Sequence, residues 1–446
     1  MRSDTRNTRA QEPHTQVDKP NSAASFPLGL IALLLGLLAA LLAQRVWPGD
    51  SLPTLLCGAG ALAATLVLGE TLLLGVSRRP STGLAERPLR PFELRQAGLR
   101  FLGLLMTLAG IALIYWLLPE YHGQFYQPYW RFLEALAGPA LCLSPLYFLW
   151  IGRRLRQPDD AYLQLGGLLT GRGWDRIDRG LLRTHCAGWV VKAFFLPLMV
   201  VYLSGEIGTA SAALQALSWD TMRWYRFLYE LSYLIDLLFC VVGYTLTLRV
   251  LDSHIRSVEP TAFGWLVALA CYQPFYSVIG NFYLKYDESS LFWDVWLADY
   301  PVIRAVWALA ILFLTLVYAL STASFGVRFS NLTHRGIITS GPYRFSKHPA
   351  YLTKNLSWWL ISIPFVSRNG WLEGLRHCVL LGGLNFIYFL RARTEERHLS
   401  NDPDYVAYAQ WIREHGVFSG LRRLLAPAAR RVRESLSIRD AIKSQK

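Results

Sequence analysis

The chain has 446 residues, of which 53% are hydrophobic and 17% are charged, and its formal net charge is +14. Soluble domains carry about 25% charged residues, so this composition excludes an ordinary soluble protein and indicates an integral membrane protein. The basic residues cluster beside apolar segments, so we interpret the positive charge as a membrane signal and expect no nucleic-acid partner.

Apolar segments recur along the whole chain, and a helix that crosses a bilayer needs about 20 such residues. Eight segments approach or reach that length: 26–47, 52–76, 99–118, 132–152, 187–203, 227–248, 263–283 and 302–324. Two shorter ones, 351–365 and 375–390, are predicted to be tilted or to pack as a helical hairpin. The sequence therefore predicts an all-α, polytopic membrane protein with about ten transmembrane helices.

Arginine clusters fill alternate connections between these segments. They precede the first segment and occupy residues 78–95 and 153–184, whereas residues 120–127, 206–220 and 287–299 are acidic or poor in Lys and Arg. Since basic connections stay in the cytoplasm, both termini are predicted to be cytoplasmic. The connection 153–184 also mixes Leu, Trp and Arg, which predicts a segment along the membrane interface, either a connector or a lid for lipid.

Composition divides the chain into four parts. Residues 1–25 form a polar tail that we predict to be disordered. Residues 26–300 are a transmembrane region of unknown role, residues 301–419 are a C-terminal membrane domain, and residues 420–446 are a basic cytoplasmic tail suited to anionic lipid.

Ionisable residues inside apolar segments are costly and therefore informative. Glu70, Lys192 and Asp236 are the clearest examples. Two interpretations stay open: the two carboxylates pair with Lys192, or they line a polar cavity such as a transporter would need. The cysteines show no metal-binding spacing, so we expect no metal site.

Two polar blocks stand out near the C-terminus. Residues 334–351 read HRGIITSGPYRFSKHPAY, and residues 391–399 read RARTEERHL. The apolar hairpin between them should bring both blocks to the same side of the membrane, here predicted to be the cytoplasmic side. Arg391 and Glu395 are four residues apart on a predicted helix, so they should share one face and orient each other.

These blocks resemble the isoprenylcysteine carboxyl methyltransferase and phospholipid methyltransferase family. The matching residues are Ser340, Gly341, Tyr343, Arg344, Lys347, His348, Pro349, Tyr351, Arg391, Glu395, Glu396, Tyr405 and Tyr408. The resemblance covers only the C-terminal part of the chain. Lys347 stands where the family more often has Arg, which keeps the charge but loses the planar fork that grips a carboxylate.

The resemblance implies a methyltransferase that uses S-adenosyl-L-methionine as its methyl donor. Arg344, Lys347 and His348 would meet the donor's carboxylate, and Glu395 or Glu396 would meet its ammonium or ribose hydroxyls. The full set expected to bind the donor is Gly341, Tyr343, Arg344, Lys347, His348, Pro349, Tyr351, Arg391, Glu395 and Glu396. The residues expected to act in catalysis are His348, Arg391 and Glu396.

The implied acceptor is lipophilic, either an isoprenylcysteine carboxylate or a lipid-like nucleophile, and would enter from the bilayer. A carboxylate is already ionised at neutral pH and needs no general base. An amine or thiol would need one, and His348 or Glu396 are the first candidates.

Two alternatives remain at this point. A membrane reductase of the sterol type would bind NADPH at a similar site and would need extra cations for its phosphates, for which Arg328, Arg335 and Arg344 are candidates. A transporter or structural membrane protein would bind neither donor.

Overall fold

Helices make up most of residues 18–287, 292–420 and 424, the part of the chain that the computed structural model describes. Fourteen α-helices occur there, α1 to α14. The first seven are Phe26–Val46, Ser51–Leu68, Leu94–Leu117, Gln127–Gly152, Ala161–Leu169, Arg179–Gln215 and Thr221–Thr245. The other seven are Ala262–Leu269, Phe275–Val278, Trp293–Trp296, Pro301–Ala323, Pro349–Ser362, Trp371–Leu399 and Pro403–His415.

Seven of these helices are long and apolar enough to cross a membrane: α1, α2 with its continuation to Leu73, α3, α4 with its preceding turn, α6, α7 and α11. The described chain is therefore an all-helical membrane protein. α6 and α7 are the most deeply buried of the seven and form the centre of the bundle, with Phe195, Leu198 and Phe239 in its core.

Three of the ten predicted spans do not meet the same criteria in the described residues. The span predicted at 263–283 is broken, because α8 ends at Leu269 and α9 begins only at Phe275. Pro274 lies in this break, and proline interrupts helical hydrogen bonding. The spans predicted at 351–365 and 375–390 correspond to α12, with only 14 residues, and to α13, whose 29 residues end in a charged segment.

The connection predicted at 153–184 is ordered and mostly helical. It contains α5, which packs against α3, and the first turns of α6, which begins at Arg179. Close contact explains the glycines here: a Cβ on Gly103 would lie 2.0 Å from the Tyr162 carbonyl oxygen, and one on Gly166 would lie 1.8 Å from that of Leu99. Small residues allow this approach of two helix backbones.

The end of the predicted disordered tail is also ordered. The Ala23 amide donates to the Ile337 carbonyl at 2.8 Å, and the Thr339 hydroxyl donates to the Pro20 carbonyl at 2.9 Å. Residues 18–25 are thus bound to the beginning of the first polar block, whose backbone groups find partners there. Residues 1–17 and, apart from Leu424, the predicted basic tail beyond residue 420 lie outside the described residues.

A short antiparallel ladder joins the two halves of the chain. Strand β1, Ser257–Val258, precedes α8, and strand β2, Thr333–His334, ends at the first residue of the first polar block. Their register pairs Ser257 with His334 and Val258 with Thr333. The ladder places the broken segment α8–α9 beside the polar blocks.

Candidate active site

The two polar blocks meet at the start of α12 and the end of α13. His348 Nε2 lies 3.0 Å from Glu396 Oε1, and the Lys347 ammonium contacts the same carboxylate oxygen. The Tyr351 hydroxyl donates to Glu395 Oε2 at 3.0 Å. The helical hairpin of α12 and α13 therefore brings the two blocks together, as the sequence predicted.

Local chain geometry fixes His348 in this position. Gly341 has a φ of +60°, and a Cβ on it would lie 2.4 Å from Ser324 Oγ, so only glycine fits at this turn. Pro349 is the first residue of α12, where its missing N–H and fixed φ are favourable. His348 precedes it outside the helix, with its ring stacked on that of Tyr351 at 5.6 Å between centroids.

Glu396 is the anionic centre of the contact. Burial raises the pKa of its carboxyl, but hydrogen bonds from His348 and Lys347 outweigh burial and bring that pKa down to about 2. Glu396 is therefore ionised at neutral pH and contacts both motif side chains, His348 and Lys347.

Arg391 is buried one turn earlier on α13. Its guanidinium donates to Asn331 Oδ1 and, at 3.4 Å, to the Tyr272 hydroxyl. Its Cζ lies 5.1 Å from the centre of the Tyr351 ring. The predicted mutual orientation of Arg391 and Glu395 is not what the structure shows, since Arg391 bonds Asn331 and Glu395 bonds Tyr351.

A cavity of about 670 Å³ opens beside these side chains. Its volume falls within the range of about 300–1,000 Å³ that holds drug-sized ligands. Its wall includes six of the predicted site residues: Tyr343, Lys347, His348, Tyr351, Arg391 and Glu395.

Nearly half of the residues that line the cavity precede residue 301. These include Tyr202 and Glu206 of α6, Asp236 of α7, and Glu259 and Tyr272 beside the broken segment. The role of residues 26–300, unknown from the sequence, thus includes building this cavity.

A second cavity of about 390 Å³ lies on the other side of the motif. It contains Glu396 and Asn355, and it shares Lys347, His348, Tyr351 and Tyr388 with the larger cavity. The shared side chains form a partition between the two spaces.

Three predicted donor-binding residues lie in neither cavity wall. Arg344 is exposed, Gly341 forms the turn described above, and Pro349 is buried at the start of α12. Most of the other cavity residues were not predicted from the sequence, among them the polar residues Tyr272, Asn331 and Lys354. Lys354 carried a signal, because it is an ionisable residue within a predicted span.

The intramembrane residues singled out from the sequence do not pair as one group. Glu70 forms an ion pair with Arg328 at 2.7 Å, not with Lys192. The Lys192 ammonium lies 4.3 Å from the centre of the Trp189 ring. Asp236 accepts hydrogen bonds from the Tyr318 hydroxyl at 2.6 Å and from the Thr322 hydroxyl, and it lines the larger cavity.

Two of the cations proposed for NADPH phosphates are engaged inside the protein. Arg328 is buried against Glu70, and Arg335 is buried and donates to the backbone carbonyls of Gly243, Ser253, Phe329 and Leu246. Neither guanidinium is available to a ligand. No cluster of side chains suited to a metal ion occurs in residues 18–287 and 292–420.

Comparison with known proteins gives a family match for the C-terminal region of the chain. No curated protein and no solved structure gives a significant match to the chain. Residues 302–401, which include both polar blocks, match the model of the isoprenylcysteine carboxyl methyltransferase (ICMT) family, and this confirms the family resemblance of the C-terminal region.

Proposed function

We propose that this protein is an integral membrane methyltransferase that uses S-adenosyl-L-methionine and acts on a lipophilic acceptor. The observation that carries the proposal is the meeting of the two family blocks at the wall of a large cavity in a membrane protein. We also propose that this end of the cavity faces the cytoplasm, following the distribution of arginines along the sequence.

The polar end of the larger cavity offers matching groups for the donor. Lys347 and His348 can bind its carboxylate, and Glu395 can accept hydrogen bonds from its ammonium or ribose hydroxyls. The aromatic rings of Tyr343 and Tyr351 supply flat surfaces for the adenine. Gly341 and Pro349 act indirectly in this proposal, because they fix the backbone that presents His348.

Catalysis here rests mainly on alignment. The donor supplies an activated methyl group, and the protein holds the acceptor's nucleophile in line with it. This alignment is the largest contribution that the protein makes to the rate. Arg391 is too enclosed by Asn331 and Tyr272 to move, so it serves as a fixed positive charge beneath the site. His348 is the candidate to take a proton where the acceptor needs deprotonation, because the lowered pKa of Glu396 makes its carboxylate a weak base.

Lipophilic acceptors fit the rest of the cavity. Apolar side chains of α6 and α7, among them Met199, Val201 and Leu237, continue its wall away from the polar blocks. An isoprenylcysteine carboxylate or another lipid-like nucleophile would place its chain there. The reductase alternative loses support because Arg328 and Arg335 are engaged internally.

Binding of S-adenosylhomocysteine, the donor without its methyl group, tests the proposal. We expect calorimetry on the detergent-purified protein to show micromolar binding and no binding of NADPH. His348→Ala and Glu395→Ala should each weaken binding by about tenfold or more, as expected for loss of a hydrogen bond to a charged group.

Matched variants separate the site from general effects. Arg413→Ala removes an exposed cation of α14 and should leave binding unchanged. Arg344→Ala should also retain binding, because Arg344 lies outside both cavity walls. Binding of NADPH in place of S-adenosylhomocysteine by the intact protein would overturn the proposal.

A further inference from the structure

Lys354 is a cation in the wall of the larger cavity, and it belongs to neither polar block. It lies on α12, six residues after His348. At 1.5 Å per residue, this places it roughly 9 Å farther along the helix axis. The cavity therefore has a second charged position, separate from the donor end.

The Lys354 ammonium has aromatic neighbours but no oxygen partner among the residues that the structure describes. It lies 5.1 Å from the Tyr318 ring centre, 5.5 Å from that of Trp358 and 5.9 Å from that of Tyr388. Rings stabilise a cation but do not satisfy its N–H groups. Three hydrogen-bond donors thus face the cavity without an acceptor.

Asp236 lines the same cavity but does not accept a hydrogen bond from Lys354. Its carboxylate already accepts hydrogen bonds from Tyr318 and Thr322, and it forms no ion pair with Lys354 within the described residues. Tyr318 lies between the two, with its ring beside Lys354 and its hydroxyl on Asp236. Asp236 lowers the cost of a buried ammonium, while the donors of that ammonium stay open to a ligand.

We infer that Lys354 is the binding residue for the carboxylate of an amphiphilic acceptor, whose apolar chain lies along α6 and α7. This inference rests on the proposed function and adds the residue that selects the acceptor's head group. A carboxylate supplies two acceptor oxygens for one ammonium. An amine would bring like charge to Lys354, and a phosphate ester would bring a second negative charge toward Asp236.

Methyl transfer to a carboxylate held by Lys354 would need one carboxylate oxygen to face the donor's methyl group. That oxygen's lone pair forms the new C–O bond, the S–C bond breaks, and its electron pair goes to sulfur. The products are a methyl ester and a thioether, and no proton is transferred.

The inference is tested by comparing ligands that share one alkyl chain and differ only in their head group. Dodecanoate, dodecylamine and dodecyl phosphate would be titrated by calorimetry into the full-length protein in lipid nanodiscs, with and without saturating S-adenosylhomocysteine. We expect dodecanoate to bind at least about tenfold more tightly than the other two, the size of a charge-assisted hydrogen bond.

Variants show whether Lys354 causes the preference for dodecanoate. The Lys354→Met protein should lose this preference, and the Lys354→Arg protein should keep it. Lys192→Met is the matched control, because Lys192 is also an intramembrane lysine beside a tryptophan but does not line the cavity. A labelling experiment on the intact protein needs no variants. Bound dodecanoate should protect Lys354, but not Lys192, from reductive methylation.

The outcomes distinguish this inference from the proposed function. A dodecanoate preference that survives in Lys354→Met, a preference for the amine or phosphate, or labelling of Lys354 that dodecanoate does not reduce would overturn it. Failure of S-adenosylhomocysteine to bind would overturn the proposed function instead, since the head-group titration without that ligand still reports on Lys354.

Discussion

At the scale of single residues, Glu396 makes the site sensitive to acid in a defined range. Its carboxyl has a pKa of about 2 in the folded protein, below the ordinary value of 4.5. A lowered folded pKa stabilises the protein above the ordinary value, and this stabilisation is lost as the pH falls through the folded pKa. We therefore expect Glu396→Gln to lower the unfolding temperature by a constant amount from pH 7 to pH 5. That difference should shrink as the pH falls from about 4.5 toward 2.

Thermal unfolding of the two proteins across pH 3–7 checks this expectation. Glu86→Gln, which removes an exposed carboxylate, is the control and should show no such difference. A difference between Glu396→Gln and the intact protein that already vanishes at pH 5 would mean that His348 and Lys347 do not hold the carboxylate in its charged form.

The contacts of single residues were predictable where spacing determined them. His348 and Glu396 meet because a helical hairpin returns the chain to its starting side, which the two blocks and the apolar run between them indicated. The partners of Arg391 were not predictable. Asn331 and Tyr272 reach it through the β1–β2 ladder and the broken segment, which are long-range features without a local sequence signal.

At the scale of helices, the contact between α3 and α5 offers a sharp test of packing. We expect Gly166→Ala to destabilise the protein by about 1–3 kcal/mol or more, because its Cβ would overlap the Leu99 carbonyl oxygen. Gly110→Ala is the matched control, since that glycine lies on α3 and a Cβ there meets nothing within 4 Å. Unfolding of both variants in detergent measures the difference. Equal stabilities would show that α5 does not pack closely against α3.

Hydropathy predicted where most long helices lie, but it did not predict where a helix is interrupted or where it extends beyond its apolar segment. A window average reports the cost of moving a segment into lipid, and the segment 263–283 is largely apolar and has no charged residue. It is nevertheless divided around Pro274, in a region that lines the cavity. Conversely, α6 extends for 37 residues because helical hydrogen bonding continues beyond its apolar part.

At the scale of the whole molecule, the cavity joins the two parts that the sequence divided at residue 300. Family-matched side chains such as His348 form one end, and α6 and α7 form much of the remaining wall. Composition marks a boundary in the chain, but a cavity depends on packing between distant segments. The described fold is therefore one bundle around a shared site.

A buried ion pair also links these two parts. Glu70 follows α2, Arg328 follows α11, and their charged groups are 2.7 Å apart with almost no exposure. We expect Glu70→Leu to cost about 3–5 kcal/mol of unfolding free energy, because it leaves the Arg328 charge buried without its partner. Arg131→Gln, which removes an exposed ion pair with Asp50, is the control and should cost less than about 1 kcal/mol.

The double variant Glu70→Leu with Arg328→Met decides the cause of that loss. If the uncompensated charge destabilises Glu70→Leu, removing Arg328 as well should restore most of the lost stability, since apolar side chains of similar volume often replace a buried pair at little cost. Arg328 also donates to the Leu251 carbonyl at 2.9 Å, so recovery should stop short of complete. Denaturant titration in mixed micelles compares the intact protein, Glu70→Leu, the double variant and the control Arg131→Gln. A double variant as unstable as Glu70→Leu would instead attribute the loss to packing between α2 and the segment after α11.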